Sequence, residues 1–286
     1  MTGCPEGGIP SVETIVFDGE PEELRIQPIQ VCDDNGNNCA DVNLFADITA
    51  KILEQANLRV SFLPTNQLNA SRFLSIQDNP NRTSPDYEFY ELSRLGGAGA
   101  FGRHPDSTAT SGPINVWFVD EIEALSGFTQ FGIAWVDANG VLISKEVADF
   151  NNGAGRIDTL AHEIGHNLGL RHTNFGAGGP DNLLTNGDDR SIPGSIDDIG
   201  TVSTLTNEQI REILNSPLLA DGTSSDTEIS SDLLSSNLLE VAADTATTPF
   251  QVSLAADQAR IPDRSSTVFG LSALGLFILK AKTKRT

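Results

Sequence analysis

Positive charge is scarce in this chain: 18 Lys and Arg stand against 39 Asp and Glu over 286 residues, a formal net charge of −21. That balance argues against nucleic acid and against an anionic membrane surface as partners, because both are held by cationic side chains. Methionine occurs once, as Met1, and tyrosine only as Tyr87 and Tyr90. Of three cysteines, Cys32 and Cys39 flank the turn Asp33 to Asn38, where a bridge formed outside the cytoplasm and a pair of free thiols are both open. Met1 to Pro10 has neither a basic n-region nor an apolar h-region, so no signal peptide is visible in this chain. The apolar run Thr267 to Leu279 is short beside the roughly 20 residues of an ordinary membrane span.

Histidine is scarce too, and three of the four fall in one place. His162-Glu163-Ile164-Gly165-His166-Asn167-Leu168-Gly169-Leu170-Arg171-His172 reads H-E-x-x-H-x-x-G-x-x-H, with a chance occurrence below about 10⁻⁵ from the chain's own residue frequencies. On a helix His162 and His166 are four apart and project from one face, where they share one ion. Ile157, Leu160, Ala161, Ile164 and Leu168 follow helical spacing and predict a buried opposite side. Gly169 comes where a residue free to take positive φ stops the helix and turns His172 back as third ligand. Three neutral imidazoles leave a fourth tetrahedral position for water, the pattern of a catalytic rather than a structural zinc. Glu163 is placed beside that water as general base.

These eleven residues resemble the signature of the metzincin clan of zinc metallopeptidases. The resemblance implies His162, His166 and His172 as zinc ligands, Glu163 as base, and a peptide or protein substrate hydrolysed by an endopeptidase. It also implies a methionine in a turn beneath the metal. Here Asp181-Asn182-Leu183-Leu184-Thr185 stands in that place with Leu184 at the methionine position, and leucine conserves the apolar volume. No tyrosine follows, which argues against a tyrosine-assisted oxyanion site. Leu184 keeps an alternative in view: a catalytically impaired zinc-binding module of the cell surface or extracellular matrix. Cys4 is unpaired in this count, and one reading has it cap the zinc from the N-terminal segment, as inhibitory cysteines do in some metzincins. His104 reads as an exposed loop residue. Asp181, Asp188, Asp189, Asp197 and Asp198 make calcium a candidate, but their spacing matches no calcium loop, and solvated acidic turns are the better reading.

The expected fold class is α/β, an α+β zincin: a twisted mixed sheet with an antiparallel edge strand over an active-site helix, then a small, mostly irregular subdomain and a helix. Arg25 to Cys32 and Leu58 to Leu63 alternate as strands around a helical pattern over Val42 to Ala56, a β-α-β opening. Ile114 to Val119 is apolar throughout, as in a strand buried on both faces. Gly132 to Val136 and Val141 to Ser144 are joined through Asn139-Gly140 as a hairpin. The first of these resembles the clan's edge strand, which pairs with an extended substrate. The site helix is expected to follow directly. Asn174 to Ile199 reads as a loop, and Thr206-Asn207-Glu208-Gln209 as a capping box opening a last helix.

Four regions result: an N-terminal segment at 1–23, a metzincin-like catalytic domain at 24–220, a polar linker at 221–260 with a short helix at Leu233 to Ala242, and a tail at 261–286. The tail joins Pro262-Asp263, the apolar run, and Lys280, Lys282, Lys284 and Arg285. It resembles a bacterial PEP-CTERM sorting tail of the kind carried by exported cyanobacterial proteins. That implies transient contact with membrane sorting machinery and a location at the cell surface or outside the cell. The chain is read as a monomer.

Overall fold

The computed structural model describes residues 15–77, 87–123, 129–187 and 189–219, and of 254–259 the backbone alone. The sorting tail, the helix expected at Leu233 to Ala242, Cys4 and Asp188 lie outside the described residues.

The sheet is built on β1 (Glu22–Cys32), whose eleven residues are long enough for two partners on one side. β2 (Leu58–Phe62) runs parallel to its first half and β3 (Asn66–Asn69) parallel to its second, in register from Glu22↔Leu58 and from Ile29↔Asn66. Pro28 sits at the gap between the two, where a residue with no N–H leaves no bond unmade. The Gln27 amide fills that gap, donating to the carbonyls of Pro28 and Pro64 at 2.8 Å each. On the other side β1 pairs in parallel with β5 (Ile114–Val119), which pairs in parallel with β8 (Val141–Ser144). β8 is antiparallel to β7 (Thr129–Trp135), with Ile133 opposite Leu142. The mixed sheet with an antiparallel strand near one edge is thus the architecture expected. A two-stranded parallel ribbon, β4 (Ser75–Gln77) with β6 (Glu121–Glu123), stands apart.

β5 shows why the apolar run was informative. All six of its residues are buried. Val116 and Phe118 join one core with α1 (Ala46–Leu53) and α4 (Thr159–Asn167), while Trp117 and Val119 join a second core with α2 (Glu88–Ser93). In that second core Trp135 stacks on Phe89 at 5.0 Å and donates its indole N–H to Ser93 Oγ at 2.7 Å.

Some expectations are corrected. The helix expected from Val42 to Ala56 begins only at Ala46, because Phe45 takes a left-handed conformation (φ 40°) that breaks the preceding turn. The site helix does not follow β8 directly: α3 (Glu146–Gly153) intervenes, closing with Asn151 and Asn152 at φ 52° and 59°. Within the stretch read as a polar linker, β9 (Leu254–Ala259) forms a strand antiparallel to β7. The open N–H and C=O row of a sheet edge is a template that any extended segment satisfies, and composition alone does not reveal that. β7 is consequently not the outermost strand.

α5 (Asn207–Leu214) starts as expected: Thr206 accepts from the Gln209 N–H at 3.1 Å while the Gln209 side chain accepts from the Thr206 N–H at 2.9 Å. Cys32 and Cys39 are bridged, which decides between the two readings of that pair. In the loop they close, the Asp33 carboxyl is held below the usual aspartate range, first by the N–H of Asn37. Among the described residues no helix is long and apolar enough to cross a membrane.

Candidate metal centre

α4 carries the first two histidines, and its end is set by a Schellman motif. Leu170 N–H reaches back to the Gly165 carbonyl and Gly169 N–H to that of His166, both at 3.0 Å, with Gly169 at φ 98°. This is the left-handed residue that the motif needs. A side chain at Gly169 is disfavoured chiefly by that φ, and a Cβ there would also sit 2.8 Å from Asp137 Oδ1, which would have to swing aside. The turn returns the chain, and His172 arrives opposite the helix.

The outcome is a triangle of nitrogens. Nε2 of His162 lies 3.1 Å from Nε2 of His172, and Nε2 of His166 lies 3.2 Å from each of the others. Tetrahedral coordination at about 2.0–2.1 Å separates ligand nitrogens by roughly 3.3 Å, so the triangle fits a zinc ion. The tautomers agree with that fit. Nδ1 of His166 faces the Leu170 carbonyl at 2.8 Å and Nδ1 of His162 the Leu183 carbonyl at 2.5 Å. A carbonyl takes only an Nδ1–H, which leaves the Nε2 lone pair for the metal. Two such lone pairs aimed at each other and at the His172 ring nitrogen cannot satisfy one another, and a cation between them can. Burial, then the Arg190 guanidinium, then the other two imidazoles hold His162 well below the ordinary histidine range, in the neutral form a ligand requires. His162 and His166 are buried, while His172 is half-buried and marks the open side.

Glu163 is fully buried against β7. A Cβ on Gly132 would come within 2.8 Å of its Oε1, so glycine at 132 is what lets the strand pass this close to the carboxylate. Leu184, the residue at the methionine position, is buried and lies against Gly165 on the helix, an apolar floor below the histidines. Ile157, Leu160, Ala161, Ile164 and Leu168 are all buried, as their spacing predicts.

Sequence reasoning missed the support beneath His162. Arg190 is buried, touches His162 Nδ1, donates to the Leu183 and Thr185 carbonyls at 3.2 and 3.3 Å, and pairs through Nε with Asp158 at 3.1 Å. Asp158 stands at the N-cap of α4, yet no side-chain cap bond forms there; its other contact is the Ser203 hydroxyl at 2.9 Å. The signal available was an aspartate and an arginine flanking the motif in otherwise ordinary positions, too weak to single out. Asn167, inside the motif, was also passed over. Its amide donates to the carbonyls of Trp135 and Gly140 at 2.8 and 3.1 Å and ties the end of α4 to the β7–β8 turn. Among the described residues the three histidines are the one convergent group of metal-ligand type. Asp181, Asp189, Asp197 and Asp198 form no such group, and His104 sits in a separate loop, its Nδ1 accepting the Asp106 N–H at 3.2 Å.

The family model for the reprolysin-like metallo-peptidases of family M12B matches residues 108–173, from the approach to β5 through the third histidine, less than a quarter of the chain. No curated protein matches. Among solved structures the chain is similar to the archaemetzincin of Archaeoglobus fulgidus, complexed with malonate, at 16% identity, covering 66% of this chain and 99% of that one with a TM-score of 0.34. The archaemetzincin of Methanopyrus kandleri matches at 13% identity over 70% of this chain and 97% of its own, TM-score 0.39. A zinc-dependent peptidase from Methanocorpusculum labreanum matches at 13% over 67% and 99%, TM-score 0.34. Likenesses this low leave the chemistry to be argued from the site's own residues. The M12B match and the histidine triangle together support a zinc-dependent metallopeptidase.

Proposed function

We propose that the protein is a zinc-dependent endopeptidase of metzincin type. The observation that carries this is the triangle of Nε2 atoms at 3.1–3.2 Å with a buried carboxylate on the neighbouring residue of the same helix. Zinc held there supplies a Lewis acid for a scissile carbonyl and lowers the pKa of a water to about 7. His162, His166 and His172 hold the ion. Glu163 takes the proton of the attacking water and delivers it to the leaving amine, the general acid–base role that a carboxylate walled from bulk water performs well. The water adds across one peptide bond to give a carboxylate and an amine, and no further reactant is needed. β7 runs past Glu163, and an extended peptide in the strand position that β9 pairs would be aligned there by main-chain hydrogen bonds.

The export reading belongs here too. The Cys32–Cys39 bridge supports an oxidising compartment, and the sequence of 261–286 supports a sorting tail that retains the protein at the cell surface.

The test compares zinc-loaded protein with Glu163→Ala at equal metal content on a mixed peptide library. Hydrolysis by the parent, reduced about 10²–10⁴-fold in the variant, is the expected outcome. If both bind zinc and neither cuts, the impaired surface module with Leu184 in the turn becomes the function.

A further inference from the structure

We propose that Leu254–Ala259 occupies the strand position along β7 that an extended substrate takes, so that a peptide reaches the centre only by displacing the chain's own segment. This rests on reading the three-histidine centre as a peptidase site, and it adds to that reading an occupant and a competition.

The register carries the argument. β9 pairs antiparallel to β7 from Thr129↔Ala259 to Trp135↔Leu254 on the side away from β8, with a shift in register between Gln130 and Gly132. Within that register Asp257 stands opposite Gly132. Gly132 is the residue whose missing side chain makes room for the Glu163 carboxylate. The main chain around Asp257 therefore lies one strand spacing, about 4.8 Å, from the residue that touches the proposed base. β9 also lies beside α4, the helix that carries two of the ligands. The pairing made here is the one by which peptides are recognised as added strands: main-chain bonds along the edge, with side chains alternating between faces.

Because the segment belongs to the same chain, its binding is intramolecular, and tethered segments compete at effective concentrations on the order of millimolar. A competitor of this kind raises the KM for an added peptide and leaves kcat alone.

The test uses the full chain and the full-chain double variant Ala256→Pro/Asp257→Pro. Proline at two adjacent positions removes N–H groups in both hydrogen-bonding phases of the strand. Hydrogen exchange at the β7 amides is read first, on zinc-loaded proteins that also carry Glu163→Ala, so that it does not depend on hydrolysis. Exchange at Ala134 is expected to quicken at least tenfold in the double variant, because its N–H faces β9 while that of the next residue, Trp135, bonds the Gly140 carbonyl on the β8 side; exchange at Trp135 and in β1 and β5 is unchanged and reports an intact fold. A synthetic peptide with the sequence of residues 251–260 is expected to restore the protection. With the Glu163 proteins, KM for a quenched peptide mixture is expected to fall at least threefold at constant kcat. Unchanged exchange at Ala134 overturns the proposal. Faster exchange that the peptide does not reverse, or that leaves KM where it was, overturns it as well and makes β9 a structural cover. Restored protection with no hydrolysis in any protein keeps the occupant and removes the peptidase.

Discussion

The site helix and the segment beneath it meet at His162, and they are held there in opposite ways. From Thr159 to Leu170 the backbone closes on itself, and the longest bond shaping the turn joins Leu170 to Gly165. From Asn174 to Leu205 the chain has one short 3-10 turn and is anchored from afar: Asn182 to Thr204 and Gln209, Arg190 to Asp158, Ser203 to Asp158 at a separation of 45 residues, and the Ser203 carbonyl to Gln55. A helix states its geometry in the identity of neighbouring residues. An irregular segment states it only through the partners that folding brings.

The comparison breaks most visibly at Asp158. Asp158→Ala leaves a buried guanidinium and a buried hydroxyl without their shared acceptor, and losing one partner of a buried pair costs about 3–5 kcal/mol. Urea unfolding of the zinc-free protein is expected to show that loss, while the helical signal of α4 survives at low urea. A loss below about 1 kcal/mol means that the lower segment is held by something other than this pair.

Gly169→Ala attacks the local side of the comparison. It places a Cβ against Asp137 and forces alanine to φ 98°, a cost of about 1–3 kcal/mol. Because the turn aims His172, zinc affinity measured by competition with a chelator is expected to fall at least tenfold, and full affinity would show that His172 does not need this turn.

The next effect is one proton's worth of slope. His162 is neutral in the fold and ordinary in the unfolded chain, so the unfolded state binds more protons once the pH drops below about 6.5. The zinc-free protein is therefore expected to lose stability as pH falls from there toward the depressed folded value, and to show no His162-linked change above neutrality. A thermal-unfolding series that rises on acidification contradicts the neutral, desolvated imidazole.

The smallest effect is Leu184→Met. The volumes match, the site is a packed apolar floor, and such swaps cost under about 1.5 kcal/mol. Zinc affinity and peptide turnover are expected to stay within a few-fold of the parent. A large rise in turnover assigns to the sulfur a role that packing does not explain.

Legibility in the sequence follows the same division. The eleven-residue motif placed three histidines together, a glutamate beside them and a helix stop at Gly169, and the structure has the imidazoles converging, Glu163 buried and the helix ending there. β1, β2, β5, the β7–β8 pairing and the capping box of α5 were readable because alternation, a wholly apolar run and a Thr-x-x-Gln pair are local patterns, whereas the tight Asn-Gly turn did not form: residues 136–140 join the strands, and Asn139 is buried on Asn115 and Pro113. α2, α3, β3, β4 and β6 are short, and nothing in so few residues distinguishes an element from a loop until packing selects one.

The sequence by itself determined which imidazoles converge, because helical periodicity and one glycine fix the relation of His162, Glu163, His166 and His172 over eleven residues. Tertiary structure alone decided that Arg190, paired with Asp158, ties down the Leu183 and Thr185 carbonyls beneath His162, that Gly132 brings β7 against Glu163, and that Leu254–Ala259 lies along that strand. Those are contacts between residues far apart in the chain, and their free energy appears only when burial removes water from both partners at once.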